Sequence, residues 1–413
     1  MVYSMIIPIL KGVFKMTALN HEQERQTSKQ EDDSIQPFRI EVSKIDIDDL
    51  KERLRRTRWP DELPGTGWER GVPKHYLEEL TDYWKNNYDW RKHEAQLNEF
   101  PQFTTKIDGQ NIHFLHIKSP EPNATPLMLI HGWPGSFVEF IDVIGPLTNP
   151  VVHGGKAADA FHLVIPSIPG FGYSVPLSEP GWTPGRIAEA FIQLMDRLGY
   201  KQFGVQGGDT GAFIAPEMGH NSPERIIGLH LNALLTFPSG EEGELEKLTE
   251  DEQIRMTRLE TFNDGYLQIQ SKSPQTLAYG LHDSPIGQLA WIVEIFKKWS
   301  DPMDGLPEES INRDRILTNI SLYWFTGTAG SSAQVYYESM HDESAWVPKG
   351  RGTVPTGVLL SLSHDTAIKR LAEKDHNLVH WKEYEQGGHF FALEQPELFA
   401  EDVRLFFRNI QSQ

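Results

Sequence analysis

Cysteine is missing from all 413 residues. That absence excludes disulfides, thiolate metal sites and a cysteine nucleophile together. Positive charge is scarce as well: 39 Lys and Arg stand against 58 Asp and Glu, a net charge of −19. Nucleic acid and anionic membrane are bound through clustered Lys and Arg, so neither is expected as a broad-surface partner. Long apolar runs are also lacking, since a membrane span needs about 20 apolar residues. The Val2–Leu10 stretch is short, is broken by Pro8 and ends at Lys11; a secretory signal would carry its positive charge before the apolar run. Residues 17–34 are polar and charged and read as part of a flexible leader over 1–35. There is no internal repeat and no low-complexity tract. The expectation is a soluble, cytoplasmic protein, with homodimerisation left open.

What remains is a chain of 413 residues that is 38% hydrophobic, enough for a sizeable core. From Pro37 on, Ile47, Leu50 and Leu54 recur at helical spacing, and 73–97 reads as a further helical stretch. The texture changes after Pro101. Phe103–Ile107 and Ile112–Ile117 alternate around Asp108-Gly109 like a hairpin. Strand-length apolar runs then alternate with amphipathic helices: 127–130 before a helix over 137–147, 162–165 before one over 186–198, and 203–205 before 212–218. Strands also read at 226–231, 354–360 and 378–381. This pattern argues an α/β fold with a mostly parallel sheet covered on both faces. Residues 240–345 interrupt it with helical texture and form a lid in this reading, placed over the carboxyl edge where ligands sit in open α/β sheets. The division is thus a helical extension over 36–102, a core over 103–239 and 346–413, and the lid between the two core parts.

The candidate chemistry centres on Gly207-Gly208-Asp209-Thr210-Gly211, where a strand bends into a helix between glycines. A sharp strand-to-helix bend with one reactive side chain at its apex is the nucleophile-elbow pattern. Its bland alternatives are a phosphate-binding turn or a helix cap. At the apex stands Asp209, so an elbow here attacks with a carboxylate. His131-Gly-Trp-Pro-Gly-Ser136 follows a buried strand, and a bend there would aim the Trp133 N–H at the site. With the N–H of Thr210 it would form an oxyanion hole. His389, in Gly387-Gly-His-Phe390 after the last strand, is placed as general base. Asp365, past the preceding strand, is the candidate orienting acid. Asp375 is a weaker alternative, and Glu383 and Glu385 are too close to His389 in sequence to be preferred. The order Asp209, Asp365, His389 is the α/β-hydrolase order with Asp in place of Ser.

On these motifs the chain resembles the microsomal-type epoxide hydrolases, which include the juvenile hormone epoxide hydrolases. The resemblance runs from about Pro37 to Phe407. Besides the segments above, it is carried by Arg58-Trp-Pro-Asp61, Asp283-Ser-Pro-Ile-Gly287 with Ala290-Trp291, Leu322-Tyr-Trp324 and Val354-Pro-Thr-Gly357. It implies an α/β-hydrolase core and two lid tyrosines that hydrogen-bond an epoxide oxygen. By position these are Tyr266 and Tyr336, with Tyr337 the adjacent alternative. The chain departs from the family in two places. Thr210 stands where Trp is usual, and because the donor there is a backbone N–H, the Thr side chain is expected to matter little. Leu362-Ser363-His364 replaces the usual Phe-Pro before the acid.

The implied activity is conversion of a lipophilic epoxide to a vicinal diol through an ester on Asp209. A His389-activated water then hydrolyses the ester, with no metal or organic cofactor. A haloalkane dehalogenase shares the Asp elbow but needs halide-binding donors rather than paired tyrosines. A Ser esterase lacks its nucleophile here, and a non-catalytic binding module would have no use for the full set.

Overall fold

The chain enters its sheet from one edge. In the computed structural model, which describes residues 34–343, 347 and 349–412, nine strands form one sheet. The leader expected over 1–35 lies outside the described residues except for its last two, and so does the expected lid–core junction at 345–346. β1 (Gln36–Phe38) precedes three helices, α1 (Lys44–Arg55), α2 (Lys74–Asn86) and α3 (Trp90–Leu97). The helical stretch expected over 73–97 is thus two helices. The Asp89 side chain accepts the Arg91 N–H and starts a new helix where α2 has ended. β2 (Gln102–Ile107) and β3 (Gln110–Ile117) pair antiparallel. Their turn places Asp108 and Gly109 at φ of 51° and 72°, the left-handed conformations a tight hairpin requires.

The alternating part follows as β4 (Thr125–Ile130), α4 (Ile141–Thr148), β5 (Phe161–Pro166), α5 (Pro184–Arg197), β6 (Phe203–Gly208), α6 (Thr210–Asn221) and β7 (Ile226–Asn232). The helix expected over 137–147 begins as a 3-10 turn, Phe137–Phe140, nucleated by the Ser136 hydroxyl accepting the Val138 N–H. Six helices then intervene: α7 (Glu250–Thr261), α8 (Gly265–Lys272), α9 (Pro274–Asp283), α10 (Pro285–Trp299), α11 (Arg313–Thr326) and α12 (Thr328–His341). The chain returns through β8 (Pro355–Ser361), α13 (Lys369–Asp375), β9 (Asn377–Tyr384), α14 (Phe391–Glu394) and α15 (Pro396–Gln411). The last helical segment is divided at Pro396, which has no N–H to continue the hydrogen-bond ladder.

The strand order is β1-β2-β3-β5-β4-β6-β7-β8-β9. From β5 to β9 every pairing is parallel, and the β1–β3 edge is antiparallel. The central strands are buried on both faces, with Leu127 to Ile130, Leu163 to Ile165, Phe203 and Val205 all inaccessible. That is why they read as continuous apolar runs rather than alternating ones.

The N-terminal helices pack on the inserted helices rather than on the sheet. Trp84 Nε1 donates to Ser321 Oγ at 2.9 Å, Tyr83 OH to Asp314 at 2.9 Å, and Tyr88 OH meets Thr318 Oγ1 at 3.0 Å. Their aromatic density is packing against α11. The extension thereby fixes α11, which reaches the site described next.

Candidate active site

Asp209 stands at the apex of the bend between β6 and α6 with φ of 54°. A non-glycine residue held there costs about 1–3 kcal/mol and persists only where its surroundings force it. The surroundings do so through close backbone approach. A Cβ on Gly207 would drive into the Gly211 carbonyl, and one on Gly211 into the Ile130 carbonyl of β4. The glycines flanking Asp209 are therefore what lets strand, bend and helix come together.

One carboxylate oxygen, Oδ1, accepts three hydrogen bonds. The Trp133 N–H donates at 2.9 Å, the Thr210 N–H at 2.7 Å and the Thr210 hydroxyl at 3.0 Å. The third donor differs from the expectation that the Thr210 side chain matters little. Its hydroxyl reaches back along the first turn of α6 to the same oxygen as its own N–H. The other oxygen, Oδ2, lies 3.3 Å from His389 Nε2. Burial raises the Asp209 pKa, but the His389 hydrogen bond and charge and the two N–H donors outweigh it, so the net shift is downward. Burial pulls His389 down, yet the Asp209 hydrogen bond and the carboxylate charges of Asp209, Asp365 and Glu394 carry it above its ordinary value. In the resting site the two form an ion pair.

The Trp133 turn is braced from two sides. His131 is fully buried; its Nδ1 bonds the Gly132 carbonyl and its Nε2 accepts the Ile168 N–H. Burial lowers its pKa to about 4, so the ring stays neutral. From α11, Asn319 donates to the Pro134 carbonyl at 2.7 Å and accepts from Ser136 Oγ at 2.7 Å, while Tyr323 OH donates to the Gly135 carbonyl at 2.8 Å. Asn319 was not singled out from the sequence, and Tyr323 entered only as part of the Leu322-Tyr-Trp324 segment, with no role at the turn. The available signal was polar Asn319 and Tyr323 four apart on an otherwise buried helix, which places them on one face.

Asp365 follows β8, is buried, and accepts the Ser361 N–H at 2.7 Å through Oδ2. Burial raises its pKa to about 6, against the pull of that N–H and of His389. The alternatives fall elsewhere. Asp375 precedes β9, at the sheet's amino edge, where its carbonyl accepts the Gly352 N–H. Glu383 is paired with Arg255 of α7 at 2.9 Å, and Glu385 is exposed. A second acid near His389 escaped the sequence reading. Glu394 of α14 accepts the N–H groups of Gly388, Phe390 and Asp301 and so clasps the histidine loop, with burial raising its pKa to about 7. Nothing in its sequence context marks it. The loop is also held where the His389 N–H donates to the Trp299 carbonyl at 2.8 Å, and the Trp299 ring packs edge-on to the imidazole.

Tyr266 of α8 and Tyr336 of α12 meet over Trp133. Tyr266 stacks on the indole with centroids 5.1 Å apart, Tyr336 meets it edge-on at 5.8 Å, and the two phenol rings are 6.1 Å apart. Burial, then the charge of Asp209, pushes both phenols above their ordinary pKa, so both keep their protons. Tyr337 is not part of this group: it stacks on His341 at the surface. Among the described residues no cluster of His, Asp and Glu is arranged to hold a metal ion, and no helix is long and apolar enough to cross a membrane.

Residues 35–140 match the family model described as the epoxide hydrolase N terminus, and residues 125–279 match the alpha/beta hydrolase fold. Epoxide hydrolase 1 of Sus scrofa is 38% identical over 416 residues, covering 93% of this chain and 90% of its own. The chain belongs to the epoxide hydrolase family. This epoxide hydrolase is also similar to solved structures. The juvenile hormone epoxide hydrolase of the silkworm Bombyx mori matches with a TM-score of 0.84 at 33% identity, over 92% of this chain and 96% of its own. The Aspergillus niger epoxide hydrolase matches with a TM-score of 0.80 at 30% identity, over 91% and 97%. The α/β-hydrolase architecture and the family resemblance expected from the motifs are both borne out.

Proposed function

We propose that the protein hydrolyses a lipophilic epoxide to a vicinal diol through a covalent ester on Asp209. The observation that carries this reading is the division of labour between the two Asp209 oxygens. Oδ1 is occupied by three donors, which leaves Oδ2 to attack an epoxide carbon. As the C–O bond of the ring breaks, its oxygen gains negative charge, and Tyr266 and Tyr336, both protonated, donate to it.

Ester formation removes the charge on Asp209, and with it the largest force holding His389 protonated. Burial then favours the neutral imidazole, and the proton it releases neutralises the ring oxygen as its hydroxyl forms, so alkylation itself turns His389 into a base. His389, supported by the charge of Asp365, takes a proton from water. The water oxygen bonds to the Asp209 carboxyl carbon, and the negative charge collects on Oδ1, where Trp133 and Thr210 stabilise it. Collapse expels Oδ2 on the product, which takes the proton back from His389, and the new Asp209 carboxylic acid then gives its proton to His389 to restore the ion pair. The diol thus contains the epoxide oxygen and Oδ2 of Asp209, and the water oxygen remains in the enzyme. Two easier steps replace one difficult displacement, and no step calls for a metal or cofactor.

The apolar surroundings supplied by Trp133, Trp299 and the tyrosine rings support a lipophilic substrate. We assign 240–345 as a lid over a core of 103–239 and 346–413, with 36–102 as an extension that steadies the lid and 1–35 as a leader. A cytoplasmic location completes the reading. Incubation with styrene oxide, a terminal alkyl epoxide and a terpene epoxide, with a chloroalkane beside them, tests it. Diol from at least one epoxide and no halide release is the expected result. Chloride release without diol would move the protein to the dehalogenases.

A further inference from the structure

Behind the Asp209–His389 pair lies a small cavity of about 20 Å³. Its polar wall is made by Glu139, Asp209, Asn232 and His389, and Phe140 and Phe390 supply apolar wall. About 10–15 Å³ suffices for one water, provided two to four polar groups surround it. This cavity has both the room and the partners.

The chemistry above uses neither Asn232, which is engaged by Gln206 and the His389 carbonyl, nor Glu139. It sits on the 3-10 turn Phe137–Phe140, close behind the Trp133 bend. The fold makes specific room for its carboxyl, because a Cβ on Gly135 would overlap Glu139 Oε1. The backbone beside it is braced, since Tyr323 holds the Gly135 carbonyl and Asn319 the Pro134 carbonyl. Among the described residues no side chain or backbone group hydrogen-bonds this carboxyl, although burial and the nearby Asp209 charge push its pKa well above the usual carboxylate range. A neutral carboxyl offers a carbonyl oxygen as acceptor and a hydroxyl as donor. It does so beside a carboxylate without adding a second like charge.

We infer that Glu139 and His389 together hold the hydrolytic water in this cavity, oriented towards the carboxyl carbon of Asp209. This rests on the covalent route proposed above. One water proton passes to His389 Nε2, and the other stays on oxygen and is donated to the Glu139 carboxyl oxygen. The water lone pair that forms the new bond is then left facing the ester carbon. Glu139 exchanges no proton and is unchanged at the end of the step. Because the water is needed only after alkylation, Glu139 acts on ester hydrolysis and not on ester formation.

Rapid-quench mass spectrometry of the full chain with styrene oxide separates the two steps. Glu139→Leu should form the ester within about 3-fold of the parent rate and hydrolyse it at least about 10-fold more slowly, so that ester accumulates. Glu139→Gln keeps a carbonyl acceptor and should hydrolyse the ester within about 5-fold of the parent. Should Glu139→Leu fail to fold, Gly135→Ala displaces the same carboxyl by steric overlap and should show the same selective slowing. Three results would overturn the inference alone: ester hydrolysis by the Leu variant at the parent rate, an equal loss in both steps, or a Gln variant as slow as Leu. Absence of any ester in the parent enzyme and in His389→Gln would overturn the covalent route as well.

Discussion

Asp209, Trp133, Thr210 and His389 stand on bends that directly follow strands β6, β4 and β9, whereas Tyr266 and Tyr336 stand on helices with no strand beside them. The first group is held by backbone. Glycine approach at 207 and 211, hydrogen bonds on Oδ1, and the loop clasp by Glu394 each fix a position through the main chain. The second group is held by rings. α8 and α12 pack on each other, and their tyrosines find Trp133 through aromatic contact. The two sides also differ in what they ask of each residue. In the proposed reaction the sheet side makes and breaks a bond to the enzyme, while the helical side offers two donors to one oxygen and has redundancy. The extension and α11 link the sides, because the helix that receives Trp84 and Tyr88 also carries Asn319 and Tyr323 to the Trp133 bend.

Substitutions on the sheet side should therefore stop a step, and those on the helical side should slow one. His389→Gln is expected to leave ester formation intact and slow its hydrolysis by about 10³-fold, the range for loss of a general base. Intact-mass measurement should find the enzyme trapped as the ester. On the other side, Tyr266→Phe and Tyr336→Phe should each slow ester formation by about 10- to 100-fold, with the double variant far slower than either. Single-turnover burst rates check this; a single tyrosine variant as inert as the double would make the pair a unit and erase the contrast.

Thr210→Val removes one of three donors from Oδ1 while keeping the N–H. It should slow ester hydrolysis by about 10-fold, with Thr210→Ser close to the parent. Equal rates for Val and Ser would show that the hydroxyl only packs. The smallest effect is that of pH. Below about 6 Asp365 takes up a proton, since its carboxyl is neutral below its raised pKa and charged above it. His389 then loses that support, and ester hydrolysis should slow several-fold. Ester formation should persist to lower pH, because Asp209 is held below the ordinary carboxylate value and stays ionised. A pH profile of each step, measured by quench, distinguishes the two.

The same contrast explains what could be read in advance. Gly207-Gly-Asp-Thr-Gly211 and the His131 and His389 turns are visible because close backbone approach dictates residue type locally, so the letters carry the geometry. Tyr266 and Tyr336 came only through family resemblance, since aromatic residues on a lid are as suited to packing as to chemistry. Tyr337, one residue along the helix, points to the surface. Glu394, Asn319 and Glu139 were not legible at all. Glu394 and Asn319 bond groups from 4 to 185 residues away along the chain, and Glu139 faces Asp209 and His389 on other bends; no local pattern announces a partner chosen by tertiary packing. Thr210 was read only in part. The backbone role was inferred, but a hydroxyl folding back on the same oxygen depends on a side-chain rotamer that sequence does not specify.

The central claim is that Asp209 supplies an oxygen to the product. A single turnover in water enriched in oxygen-18, with enzyme in excess over styrene oxide, tests it most directly. The account predicts a first diol free of label and the heavy oxygen retained in the peptide containing Asp209. Label in the first diol, with Asp209 unlabelled, would mean that water attacks the epoxide directly and would contradict it.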